Sequence, residues 1–157
     1  MEKIVEYLKK HNKTISTMES ATGGYIASSI TNIKSSSQVF KFGAVTYSNQ
    51  YKIKMGVSPG VISKFSVYSL ECANNMSLNI SLFTNSDYGV SVTGKLNDID
   101  PDNEVGLNNI VYLSIYDKSL NKYYNKTIRV KEQSRVLNKD LIKEEFIKLF
   151  YENIIKE

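Results

Sequence analysis

The chain has 157 residues, 41% hydrophobic, 23% charged and 11% aromatic, with 8 Gly and 2 Pro. That is apolar material for one core and room for one domain, spanning 1–157, and it excludes a collagen-like or wholly disordered chain. The 20 Lys+Arg against 16 Asp+Glu leave a net charge of +4, yet only Arg129 and Arg135 are arginines. Forked donors for guanine edges are therefore scarce, so nucleic acid is not the expected partner, and an anionic small molecule suits the excess equally well.

No apolar run approaches the ~20 residues that cross a bilayer, so no membrane partner is expected. The amino terminus, Met1-Glu2-Lys3-Ile4-Val5-Glu6-Tyr7, lacks the basic start and apolar stretch of a secretory signal. Cys72 is the single cysteine, which excludes an internal disulfide and a cysteine-clustered zinc site. A cytoplasmic protein is expected.

In chain order, Ile4, Tyr7 and Leu8 predict a helix that fades by His11-Asn12. Thr14 to Met18 reads as a short strand of β-branched residues, ending at Glu19-Ser20-Ala21-Thr22-Gly23-Gly24, after which Ile26, Ala27 and Ile30 resume a helical period. Ser35-Ser36-Ser37 marks a loop, and Val39 to Ser48 reads as a second strand, followed by a helical turn carrying Lys52. Ser58-Pro59-Gly60 reads as a break, and Val67 to Leu82 as a longer helix. Asp87 to Thr93 predicts a third strand ending at Gly94, followed by a polar loop over 95–106. Ile110 to Tyr116 and Tyr124 to Val130 predict an antiparallel hairpin, and a last helix runs roughly from Lys139. Strands alternating with helices and then a hairpin imply an α/β sandwich with a mixed sheet. Ligands gather at the carboxyl ends of strands in such sheets, and Ser20 and Thr93 both stand at predicted strand ends.

The turn Ser20 to Gly24 is the most informative stretch. A serine at a strand end, followed by two glycines opening a helix, presents a hydroxyl to a cleft and leaves N–H groups for a phosphate or an oxyanion. The same residues also suit an ordinary helix cap. Lys52 is a base for a serine if burial lowers its pKa, and otherwise a solvated cation. Tyr47 reads as sheet packing, Arg135 as a surface ion pair and Cys72 as a small buried hydrophobe. His11 is the single histidine, and nothing places it in a Ser-His-Asp triad. Asp98-Ile99-Asp100-Pro101-Asp102-Asn103 resembles the start of a calcium loop, but the central glycine and the closing glutamate are missing, so no metal is expected.

Together these residues resemble the CinA carboxy-terminal domain family, the nicotinamide-mononucleotide deamidases. The family motif E-S-C-T-G-G stands here as Glu19-Ser20-Ala21-Thr22-Gly23-Gly24, and its paired serines are matched by Ser35-Ser36-Ser37. G-x-V-x-Y-S-N-x-x-K is met by Gly43, Val45, Tyr47, Ser48, Asn49 and Lys52, then Gly56-Val57. Val92-Thr93-Gly94 matches V-(S/T)-G, and Val105-Gly106 with Val111-Tyr112 matches V-G-x-V-(Y/W) with extra residues between.

The resemblance implies a three-layer α/β/α sandwich, an often homo-oligomeric assembly, and an amidase that needs no cofactor. Its substrate would be a small-molecule nucleotide, nicotinamide mononucleotide, hydrolysed to nicotinate mononucleotide and ammonia in pyridine-nucleotide salvage. It further implies Ser20 and Lys52 as the catalytic pair with Tyr47 to relay or orient. Thr22, Gly23, Gly24, Ser36, Asn49, Thr93, Gly94 and Arg135 would bind substrate.

The sequence departs from the family at Ala21, where a cysteine is usual, and at Phe65-Ser66-Val67-Tyr68-Ser69, where H-G-A-V-S is usual. It departs most over Lys95 to Glu104, where a glycine- and proline-rich loop is replaced by a segment with four acids, Asp98, Asp100, Asp102 and Glu104. An acidic loop facing a phosphate would repel it. A second reading follows from that replacement: a relative that binds a nucleotide or a protein partner without hydrolysing it.

Overall fold

The computed structural model describes residues 1–156, so residue 157 of the expected span lies outside the described residues. The chain runs α1 (Glu2–Lys10), β1 (Ile15–Glu19), α2 (Tyr25–Thr31), β2 (Phe40–Val45), α3 (Asn49–Lys54), α4 (Pro59–Phe65), α5 (Leu70–Thr84) and β3 (Tyr88–Gly94). The hairpin β4 (Ile110–Asp117) and β5 (Lys122–Arg129) follows, then α6 (Arg135–Phe150). The strands form a five-stranded sheet in the order β2-β1-β3-β4-β5. β2 and β3 each pair parallel with β1, whereas β3–β4 and β4–β5 are antiparallel.

The two faces of the sheet are chemically different. Ile15, Val90, Val92, Val111, Leu113 and Ile115 make one apolar face, which joins Ile4, Leu8, Ile26, Ile30, Ile142, Phe146 and Phe150 in the main core beneath α1, α2 and α6. The other face, beneath α5, is built of small and hydroxyl-bearing residues. Ser91 Oγ donates to the Ala73 carbonyl at 2.6 Å, and the Ser77 and Ser114 hydroxyls share a hydrogen bond of 2.9 Å. Burying these hydroxyls costs little because each is paired. Small side chains also let α5 lie close: a Cβ on Gly89 would stand 2.0 Å from the Ser77 carbonyl oxygen. A smaller apolar core of Met18, Val57, Val67, Cys72, Met76 and Ile80 completes this layer. The expected three-layer sandwich with a mixed sheet is the fold observed.

Several boundaries differ from the sequence reading, among them the start of α5, at Leu70 rather than Val67, and that of β5, at Lys122 rather than Tyr124. β2 stops at Val45, so Tyr47 and Ser48 lie beyond the strand, and Ser48 accepts from the Tyr51 N–H to cap α3. The expected break at Ser58-Pro59-Gly60 is the start of α4, with Pro59 in the first turn, where its missing N–H costs nothing. α6 begins at Arg135 rather than near Lys139, because the Ser134 side chain caps it by accepting from the Leu137 N–H at 3.3 Å.

The parallel strands β2, β1 and β3 all end on one side of the molecule, at Val45, Glu19 and Gly94. β5 runs the same way and delivers the start of α6 there. Segments 20–24, 46–48, 95–106 and the first turn of α6 therefore converge.

Candidate active site

Ser20 is the first residue after β1, and its N–H donates to the Val92 carbonyl at 2.9 Å, which extends the central ladder and fixes where its hydroxyl emerges. Gly23 and Gly24 turn the chain sharply, with φ of 61° and 92°, values that favour glycine. Glu19, fully buried, holds the turn from beneath. Its carboxylate accepts from Thr22 Oγ1 at 2.6 Å and from the Ile26 and Ala27 N–H groups at 3.0 and 2.8 Å. A negative group at the start of a helix is favourable, and here it satisfies donors that would otherwise be orphaned.

Lys52 arrives from α3. Its side chain is 1% exposed, and Nζ donates to the Thr46 carbonyl at 2.9 Å and to Ser20 Oγ at 3.1 Å. Burial pushes its pKa below the ordinary lysine value of 10.5, and nearby Cys72 and Asp100 offset this only in part. Burial also pushes the Cys72 thiol up to about 11. A buried amine with a lowered pKa, within bonding distance of a serine hydroxyl, is the arrangement by which an amine acts as general base.

Ser20 and Ala21 line a cavity of about 520 Å³, whose walls carry Tyr47, Ser48, Asn49, Tyr68, Gly94, Lys95, Asp98, Asp100, Asp102, Asn103 and Arg135 among others. The acidic segment 95–106 thus faces the cavity that Ser20 lines. It is tied down from several sides. The Tyr68 hydroxyl and Asn103 Nδ2 donate to Asp100 Oδ2, and the Asp102 N–H donates to Asp100 Oδ1 at 3.0 Å. Burial raises the Asp100 pKa, but these hydrogen bonds outweigh it and hold the carboxyl below its usual range. Lys95, itself buried, lies with Nζ 4.9 Å from the centre of the Tyr68 ring.

The residues expected at the site are divided by the structure. Ser20 and Lys52 meet; Tyr47, Asn49, Gly94 and Arg135 line the cavity. Tyr47 is 65% exposed, so it is not sheet packing, and its hydroxyl accepts from Arg135 at 3.3 Å, whereas the Lys52 amine donates to Ser20 and the Thr46 carbonyl. Arg135 also pairs with Asp98 at 3.3 Å. Thr22, Gly23, Gly24, Thr93 and Ser36 do not line the cavity. The Thr22 hydroxyl is spent on Glu19, and Thr93 Oγ1 donates to the Val67 carbonyl at 2.8 Å on the α5 side of the sheet. Ser36 precedes β2 in a short 3₁₀ turn, at the opposite end of the strands from Ser20. Glu19 takes the Ile26 and Ala27 N–H groups, and of the N–H groups of 22–24 expected to cradle an anion, that of Gly23 donates to the Ser20 carbonyl at 3.0 Å.

Sequence reasoning assigned no part to Glu19, the Thr46 carbonyl, Tyr68 or Asn103. Only Glu19 carried a signal, as a carboxylate closing an otherwise uncharged strand. Among the described residues, no cluster of His, Cys, Asp and Glu is arranged to hold a metal ion, and no helix is long and apolar enough to cross a membrane.

The family model of the CinA C-terminal domain matches residues 1–146. A CinA-like protein of Kosmotoga olearia is 42% identical over 116 residues, covering 72% of this chain and 27% of that protein. Another CinA-like protein, from Fervidobacterium nodosum, is 42% identical over 92 residues, covering 58% of this chain and 22% of that protein. The chain therefore spans less than a third of the length of these curated relatives. Among solved structures, the competence/damage inducible protein CihA from Agrobacterium tumefaciens superposes with a TM-score of 0.82 at 26% identity, covering 94% of this chain and 92% of that one. The competence damage-inducible protein A from Klebsiella pneumoniae shares the fold, with a TM-score of 0.87 at 18% identity over 97% of this chain and 92% of that one.

Proposed function

We propose, for a chain that belongs to the CinA C-terminal domain family, that it is a Ser–Lys amidohydrolase which converts the carboxamide of nicotinamide mononucleotide to the carboxylate, releasing ammonia, as a step of pyridine-nucleotide salvage. The observation that carries the proposal is the 3.1 Å contact between Ser20 Oγ and a fully buried Lys52 amine.

In the reaction, neutral Lys52 takes the Ser20 hydroxyl proton as Oγ attacks the amide carbon. Ala21, the residue after the nucleophile and the member of the 21–24 turn that lines the cavity, offers its backbone N–H to the oxyanion. The Lys52 ammonium then protonates the departing nitrogen, the C–N bond breaks, and ammonia leaves an ester on Ser20. Water attacks the ester, gives a proton to Lys52, and the collapse frees the acid while the proton returns to Ser20. The Thr46 carbonyl holds Nζ in line through both halves. Tyr47 and Arg135, bonded to each other on the wall, orient the substrate rather than relay its proton.

Ammonia release from nicotinamide mononucleotide by the purified chain tests this. The wild type is expected to release it and Ser20→Ala is expected not to. Equal rates in the two would remove Ser20 as nucleophile.

A further inference from the structure

Resting on the amidase reading of the same cavity, we infer that Asp100 is the counter-charge for Lys52, stabilising the ammonium that Lys52 becomes when it takes the Ser20 proton. The need for one follows from the surroundings of the lysine. Its amine donates to Ser20 Oγ and to the Thr46 carbonyl, and neither acceptor is charged. Gaining a proton there places a full positive charge in a buried spot whose bonded partners are neutral, which is costly unless a fixed negative charge lies within reach. A charge that develops as the proton moves is also where a preorganised group does most for the rate.

The groups around Lys52 single out Asp100. Ser20 faces the amine from the end of β1, Thr46 from just beyond β2, Cys72 from α5 and Asp100 from the acidic segment. The Cys72 thiol, pushed up to about 11 by burial, is uncharged at neutral pH. Glu19 adjoins Ser20, but its carboxylate is spent on Thr22 and on the first turn of α2. Asp100 lines the cavity together with Ser20, and its charge works against the effect of burial on Lys52. It is also built to stay ionised and still. Burial raises its own pKa, yet the Tyr68 hydroxyl, Asn103 Nδ2 at 2.9 Å and the Asp102 N–H at 3.0 Å, with Lys95 nearby, hold the carboxyl below its usual range. Asn103 is in turn bonded to Asn49, the first residue of the helix that carries Lys52, so carboxylate and amine keep a fixed relation. The segment that supplies Asp100 is the one that departs most from the family pattern, so the inference concerns this chain's own chemistry.

The test is Asp100→Asn, which keeps the shape and removes the charge, read in two ways: the pH dependence of kcat/KM for ammonia release from nicotinamide mononucleotide, and the NMR titration of Lys52 without substrate. Lys52 is expected to titrate at lower pH than in the wild type, the rise of kcat/KM to move with it, and the high-pH plateau to fall about tenfold. A weaker base leaves more of the amine unprotonated, so the loss should shrink below the limb. Asp100→Glu keeps the charge and is expected to restore the limb and most of the plateau. An Asp100→Asn protein whose Lys52 titration and limb stay where the wild type has them would overturn the inference and leave the amidase reading intact, whatever its Tm. A shifted Lys52 titration in a protein whose wild type releases no ammonia would remove the amidase and keep the coupling of Asp100 to Lys52.

Discussion

Asn49 and Asn103 exchange side-chain amide hydrogen bonds, 2.8 Å in one direction and 3.3 Å in the other. Asn49 opens the helix that carries Lys52, and Asn103 belongs to the acidic segment that walls the cavity. The helix of Lys52 and the acidic wall of the cavity are thus fastened to each other, which couples the shape of the cavity to the position of the amine. Replacing Asn49 with Ala is expected to raise KM more than it lowers kcat, with a stability loss of about 1 kcal/mol for the pair. Steady-state kinetics with a urea unfolding curve would check both.

Lys52 makes the folded state sensitive to pH in a predictable direction. Its folded pKa lies below the unfolded value, so between the two the unfolded chain binds more protons and stability rises with pH. Lys52→Met removes a buried amine that must otherwise be neutralised. It is expected to be more stable than the wild type at neutral pH, with the difference closing as pH climbs into the ordinary lysine range, and to be inactive at every pH. Chemical unfolding at pH 7 and pH 10 reads the trend.

Glu19 is expected to be a positioning residue. Glu19→Gln keeps the size but cannot accept from Thr22 Oγ1 and two backbone N–H groups as an ionised carboxylate does. A loss of about 1–3 kcal/mol is expected for leaving buried donors poorly satisfied. If its role is to hold the Ser20 turn, kcat falls while the Lys52 limb of the pH–rate profile stays in place; a purely structural role would lower Tm and leave kcat unchanged.

The close seat of α5 on the sheet is tested at Gly89. Gly89→Ala would place a methyl group against the Ser77 backbone, and backbone cannot yield as a flexible side chain does. Destabilisation of about 1–3 kcal/mol is expected, since the helix must lift from the strand. A thermal melt unchanged from wild type would show that α5 has room to move.

Much of this was readable in the sequence, for physical reasons that differ by element. The strands and α6 announce themselves through periodic apolar residues, as Ile142 and Phe146 do on α6. The meeting of Ser20 and Lys52 was readable only through the resemblance of two motifs, since a lone lysine carries no mark of burial. The hydroxyl face of the sheet was hidden, because Ser91 and Thr93 alternate with valines as solvent-facing residues would, yet Ser91 bonds Ala73 of α5 and Thr93 bonds Val67 in the segment before it. The direction of segment 95–106 was hidden too. Its anchors Tyr68 and Asn49 are 32 and 54 positions from Asp100 and Asn103, and no local pattern encodes contacts that distant. α4 was missed because Pro59-Gly60 has the composition of a turn, although proline suits the first position of a helix equally well.

The most direct measurement of the mechanism is the titration of the Lys52 side chain itself, followed by NMR on selectively labelled protein in the wild type and in Ser20→Ala. The expected result is an amine that titrates below the ordinary value of 10.5 and below the surface lysines of the same sample, on a curve that coincides with the rise of kcat/KM. Titration of Lys52 together with the surface lysines would contradict its role as the base for Ser20.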